Sequence, residues 1–169
     1  NLLENIKTNQ ARFPKIAIFE IGQIFLAYEG SFKKDNSNTS KLPYQERRLG
    51  IAIAASTEKE SFDRLKSVLG LLASEINLHI VYAPLDDKLS WMDEKRAAKI
   101  CLSNSREIEI GAKLGYMGLV NRKICKANGI KKVTAVAEIY LEELFNKYYA
   151  SSKMYAEPNK FPSLDRDLA

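Results

Sequence analysis

Several strand-forming runs in this sequence follow one another with no helix between them, and that order constrains the fold more than any other feature. KIAIFEIGQIFLAYE (Lys15 to Glu29) is rich in β-branched and aromatic residues on both faces. That pattern predicts a central strand covered on each side, with Gly22 placed to permit a bulge. SFKKDNSNTSKLPYQ (Ser31 to Gln45) is a polar loop without periodicity, and RRLGIAIAAS (Arg47 to Ser56) is a second apolar strand. Strand, loop and strand fit an antiparallel pair. AAKICLSNSREIEIGAKLGYMGLV (Ala97 to Val120) is punctuated by Asn104-Ser105 and by Gly111-Ala112-Lys113 into three short runs, the pattern of a meander. A parallel, doubly wound sheet needs strict alternation of strand and helix. The fold class expected is therefore α+β, an antiparallel β-sheet flanked by helices.

The helices announce themselves by spacing and by caps. LLENIKTN carries Leu2, Leu3 and Ile6 at helical spacing, with Pro14 just beyond its end. Thr57 and Glu60 have the spacing of a capping box. After them Leu65, Val68, Leu69, Leu72 and Ile76 recur at three and four from Phe62, giving one buried helical face. HIVYAP reads as a short strand, followed by a polar stretch holding Trp91. Asn121 suits the N-cap of RKICKA and Gly129 its stop. VTAVAEIYLEELFNKYY reads as a strand running into a helix, and SSKMYAEPNKFPSLDRDLA, with Pro158 and Pro162, as extended linker.

The chain has 169 residues, of which 46% are apolar and 28% charged. A single domain of this length buries roughly 68–70% of the surface exposed on unfolding, enough for a core without disulfides or structural metal. No apolar run reaches the ~18–20 residues of a membrane helix, and no signal pattern opens the chain, so a cytoplasmic protein with no membrane partner is expected. Asn1 stands where a helix already begins, with no starting Met, which suggests a piece of a longer polypeptide.

Few residues offer chemistry. Cys101 and Cys125 lie far apart without ligand spacing, so two buried, reduced thiols are expected. His79 is the only histidine, and nothing near it supplies a nucleophile or an orienting acid, which favours a structural role. The phosphate-loop, dinucleotide, nucleophile-elbow and zinc-protease motifs are absent. Asp86-Asp87 and Glu142-Glu143 read as solvated charge. Arg122, Lys123, Lys126, Lys131 and Lys132 fall in a run without acids, part of a formal net charge of +5. Such a run could track a phosphate backbone, but without interleaved aromatics or a nucleic-acid motif a solvated helix and loop is the favoured reading. Glu20, inside the apolar run Ile18 to Ile21, needs a cation, and Arg47 or Arg48 on the next strand is the expected partner.

Two segments carry a resemblance. RFPKIAIFEIGQIF (Arg12 to Phe25) and KFPSLDRDLA (Lys160 to Ala169) resemble the β subunit of bacterial phenylalanyl-tRNA synthetase, and LLENIKTN looks like the helix before the first of them. Order and spacing agree along the whole chain. Where the family usually shows His-Pro-Gly-Arg, a small residue and Ala, this chain has Asp93-Glu94-Lys95-Arg96-Ala97-Ala98. Where it tends to carry His-Pro, this chain has Asn121-Arg122.

The resemblance implies a class II synthetase-like core domain over residues 1–159, with 160–169 leading towards an anticodon-binding domain. It implies partners as well: the α subunit in an α2β2 assembly, and tRNA-Phe through the holoenzyme. ATP and Mg2+ would serve the holoenzyme, with no cofactor in this domain. Class II catalysis needs a motif 2 Arg followed by a Glu, to hold the α-phosphate of ATP by charge. Alignment on Gly22 to Phe25 puts Leu26 and Tyr28 at those positions. Motif 3 needs a further Arg, and none occurs between Arg122 and Arg166; Lys is no conservative replacement for a stacked guanidinium. The domain is thus expected to be non-catalytic, with the Leu2 to Ile6 helix as part of a subunit interface. The alternatives are a divergent adenylating domain and a basic RNA-binding module.

Overall fold

The computed structural model describes residues 1–26, 44–85, 89–103 and 110–151. Tyr28, nearly all of the polar loop, Asp86-Asp87, Asn104-Ser105 and the segment from 152 to 169 lie outside the described residues. In chain order the elements are α1 (Leu2–Asn9), β1 (Ile16–Leu26), β2 (Tyr44–Ala55), α2 (Glu58–Glu75), β3 (Ile80–Ala83), β4 (Met92–Ser103), β5 (Ile110–Val120), α3 (Arg122–Ala127), β6 (Val133–Tyr140) and α4 (Leu141–Ser151). Among the described residues the strands form one sheet of order β1-β2-β6-β5-β4-β3, antiparallel at every pairing. The α+β class and the antiparallel sheet with flanking helices are as expected.

Alternation along β2 divides the core in two. Leu49, Ile51 and Ile53 face one side with Ala135, Ala137 and Ile139 of β6, and α2 and α4 cover them with Leu65, Leu69, Leu141 and Leu144. Each wholly buried leucine contributes about 1.5–3 kcal/mol. Ala52 and Ala54 face the other side, where Ile6 of α1 is buried against Ile16, Val120, Cys125 and Ile130. Small alanines there let α1 approach the sheet closely. The caps are those the sequence announced: Thr57 accepts from the Glu60 N–H, Asn121 from the Lys123 N–H, and Gly129 takes φ +69 just past α3.

Several expectations need correction. β1 is an edge strand, because β2 finds its second partner in β6, far along the chain. Its register with β2 runs unbroken from Ile16 to Leu26, so Gly22 makes no bulge. β2 begins at Tyr44, taking in the last residues of the expected loop. The Ala97 to Val120 stretch holds two long strands rather than three runs, and Gly111, Ala112 and Lys113 lie inside β5. Residues 93–98 are strand as well, since β4 starts at Met92 directly after a half-buried Trp91. His79 is exposed, and only its backbone is engaged, its carbonyl accepting from the Ser103 N–H at 2.8 Å.

Candidate functional site

Three surfaces gather the chemistry that the sequence scatters. The first is a polar cluster on the α1 side of the sheet. Cross-strand register sets Gly50 opposite Glu138 and Arg48 opposite Tyr140. Arg48 donates through Nε to Glu46 at 2.8 Å and through a terminal nitrogen to Glu138 at 2.5 Å, and its guanidinium lies 4.7 Å from the centre of the Tyr140 ring. Tyr140 meets Tyr116 edge to face at 5.9 Å, and Lys113 donates to the Tyr116 hydroxyl. Burial disfavours the charged guanidinium, but the hydrogen bonds and charges of Glu46 and Glu138 outweigh it and hold Arg48 above the ordinary arginine range. Burial, then the Tyr116 hydrogen bond, likewise push the Tyr140 hydroxyl up.

This cluster overturns the expected ion pair of Glu20. Glu20 lies opposite Gly50, and its side chain is more than half exposed. Arg47 is exposed and opposite Gln23. Arg48 shares the face of Glu20, yet Glu138 on β6 takes it. Two cations and two carboxylates leave the cluster near neutrality. With its charge neutralised by Glu46 and Glu138, Arg48 is a poor anchor for a phosphate.

The second surface is basic. Arg122, Lys123 and Lys126 of α3, with Lys131 and Lys132 of the following loop, line one cavity of about 550 Å³ together with Glu58 and Asp93. The expected basic residues therefore converge, although the sequence gave no sign of the cavity. Its floor is apolar, with buried Val120 and Ile130. Cys125 in its wall is buried, as Cys101 is elsewhere, and burial pushes the Cys125 thiol up despite a hydrogen bond with Thr134.

The third surface was not foreseen. Phe19, Ile21 and Phe25 stand on one face of β1 and are 71%, 59% and 62% exposed. They continue the row of Ile51 and Leu49 beyond the cover of α2 and α4. The sequence did signal that both faces of β1 require cover, and among the described residues only one obtains it. The α1 helix, by contrast, buries Ile6 wholly and leaves Leu2 and Leu3 half-buried. Glu142 and Glu143 are exposed in the first turn of α4. Among the described residues no group of His, Cys, Asp or Glu could hold a metal ion, and no helix is long and apolar enough to cross a membrane.

Residues 1–141 match a family profile described as the phenylalanyl tRNA synthetase beta chain CLM domain. The chain belongs to that family. Similar proteins include the phenylalanine–tRNA ligase beta subunits of Streptococcus pyogenes serotype M28 (strain MGAS6180), 29% identical over 178 aligned residues, and of serotype M1, 27% identical over 170. The match takes in 99% of this chain and 20% of either relative, so the chain spans about a fifth of their length. Among solved structures, a pyrrolysyl-tRNA synthetase of Desulfitobacterium hafniense superimposes with a TM-score of 0.59 at 14% identity, over 89% of this chain and 48% of the other. That likeness is one of fold: the sheet and its helices are those of class II synthetases. The CLM domain of this β-chain family thus carries, in this chain, an arginine paired with two carboxylates on its sheet, a basic cavity and, among the described residues, an exposed apolar strand face.

Proposed function

We propose that this chain is a non-catalytic, structural domain of the β subunit of phenylalanine–tRNA ligase, supporting the α/β assembly that charges tRNA-Phe in the cytoplasm. The observation that carries this reading is the apolar row Phe19, Ile21 and Phe25. A row of this kind on an edge strand, apolar at three of its four positions from Phe19 to Phe25 with Gln23 between Ile21 and Phe25, calls for a protein partner, because exposed edges otherwise template aggregation. In the assembled ligase the row packs against the rest of the synthetase. ATP and Mg2+ serve the holoenzyme elsewhere. The polar cluster here is a poor nucleotide site, since Glu46 and Glu138 neutralise the charge of Arg48, and the resemblance puts Leu26 where the motif 2 arginine would be needed.

The test is assembly. Full-length β subunit carrying Phe19→Ser, Ile21→Thr and Phe25→Ser together should fold, yet yield at least tenfold less assembled ligase and aminoacylation in parallel. Normal assembly and aminoacylation by this variant would remove the reading. Amino-acid-dependent exchange of pyrophosphate into ATP by the chain alone should be absent, and its presence would instead establish a divergent adenylating domain.

A further inference from the structure

The basic cavity has a structure that the sequence run did not reveal. Arg122, Lys123, Lys126 and Lys131 are exposed, and among the described residues none of them is in an ion pair. The carboxylates at the rim are largely spoken for. Glu58 is paired with Arg96 and Glu60 with Lys15 at 2.5 Å. Asp93 accepts from the Lys95 N–H at 3.0 Å and is the one acid facing the cavity that no ion pair engages among the described residues. The surface is thus a field of surplus positive charge on an apolar floor.

The cations are also held in place. Gln10, at the end of α1, donates to the Gly129 carbonyl and accepts from the Lys131 N–H, both at 2.8 Å, which fixes the loop from two sides. Lys132 donates to the Pro14 carbonyl at 2.8 Å. This stitching brings Lys7 of α1 alongside: a second cavity of about 450 Å³ is lined by Lys7 and Gln10 and shares Lys131 and Lys132 with the first. Two adjoining cavities with shared cations make a track rather than a cradle for one small anion.

We infer that Arg122, Lys123, Lys126 and Lys131, continued by Lys7, form a binding track for the phosphate backbone of RNA. The inference rests on the reading of this domain as a non-catalytic part of a tRNA ligase, and names tRNA as the RNA it meets. Charge complementarity selects a polyanion. Four of the five cations are lysines, which act as point charges on flexible stems, and no aromatic side chain lines either cavity to stack a base. The track therefore follows the backbone and reads no sequence. Lys132 is left out because its ammonium is committed to Pro14.

The experiment uses the full-length β subunit assembled with its partner subunit, and a variant with Arg122→Gln, Lys123→Gln, Lys126→Gln and Lys131→Gln. Binding of tRNA is measured across a salt series. Each phosphate contact contributes about 0.7–0.9 to the slope of log affinity against log salt. The variant should lose about 3 from that slope and on the order of tenfold in affinity at moderate salt, with KM for tRNA raised and ATP–pyrophosphate exchange unchanged. A second variant with Lys123→Arg, Lys126→Arg and Lys131→Arg keeps the charge and should bind as the parent does. An unchanged salt slope in the neutralised variant overturns the inference. So does loss of subunit assembly with intact tRNA binding, which would assign the face to an acidic protein surface. Assembly is read separately by sedimentation, so failure of the track is distinguishable from failure of the assembly reading.

Discussion

Arg48 shows how a single side chain decides what a sheet face can do. It is 19% exposed and lies between Glu46 on its own strand and Glu138 on β6. Removing its charge leaves two half-buried carboxylates facing one another, whereas removing a carboxylate as well relieves them. Arg48→Met should lower stability by about 2 kcal/mol, water at the rim keeping the loss below that of a wholly buried pair. Combining it with Glu138→Gln should cost less than the two single changes added, and urea unfolding of all three variants measures this. The sequence made plain that an apolar strand with a carboxylate needs a cation, but it attached the need to the wrong acid. Register with β6, some ninety residues away, is what gives Arg48 to Glu138 and leaves Glu20 to solvent. Cysteine was easier to read, because burial follows from composition: with its thiol pushed up by burial, Cys125 should react with a disulfide reagent at pH 8 only as fast as the protein unfolds.

Elements whose signals are local were legible to the residue. Helix α1 ends where its spacing says, though Asn1 caps it rather than lying inside it, and Thr57 and Asn121 cap their helices as their positions require. The strands were harder, since nothing within a strand states its neighbours. β4 and β5 pass through Asp93 to Arg96 and through Gly111 and Ala112 at breaks in their mutual register, irregularities that no local pattern announces. Glycine shows the same divide between local and long-range causes. Gly70 lies on the exposed side of α2 with open space around it, so Gly70→Ala should raise stability by about 0.5–1 kcal/mol through helix propensity alone. At Gly115 in β5 an added Cβ would lie 2.0 Å from the Glu138 carbonyl oxygen, so β5 and β6 would have to separate. Gly115→Ala should cost about 3 kcal/mol, and paired denaturation curves of the two variants test both signs.

For the whole molecule, the informative conflict is between the pattern of β1 and its surroundings. A strand apolar on both faces belongs inside a structure, yet this one closes the described sheet with Phe19, Ile21 and Phe25 exposed. Local pattern and tertiary setting usually agree, and where they part a functional demand stands behind the difference. Here the chain spans 20% of the length of its relatives, and under the proposed function the demand is for cover from another part of the ligase. The apolar row should therefore make the isolated chain self-associate as its concentration rises from micromolar to millimolar, since an edge strand with an apolar face pairs with copies of itself. Ile21→Lys places a charge in the middle of the row at a position already 59% exposed, so it disturbs the fold little while opposing edge-to-edge contact. Sedimentation velocity should find concentration-dependent oligomers for the parent chain and monomer for Ile21→Lys, with equal unfolding midpoints. A parent chain that stays monomeric throughout would mean that the row does not attract protein, and would take away the ground for reading β1 as an assembly face.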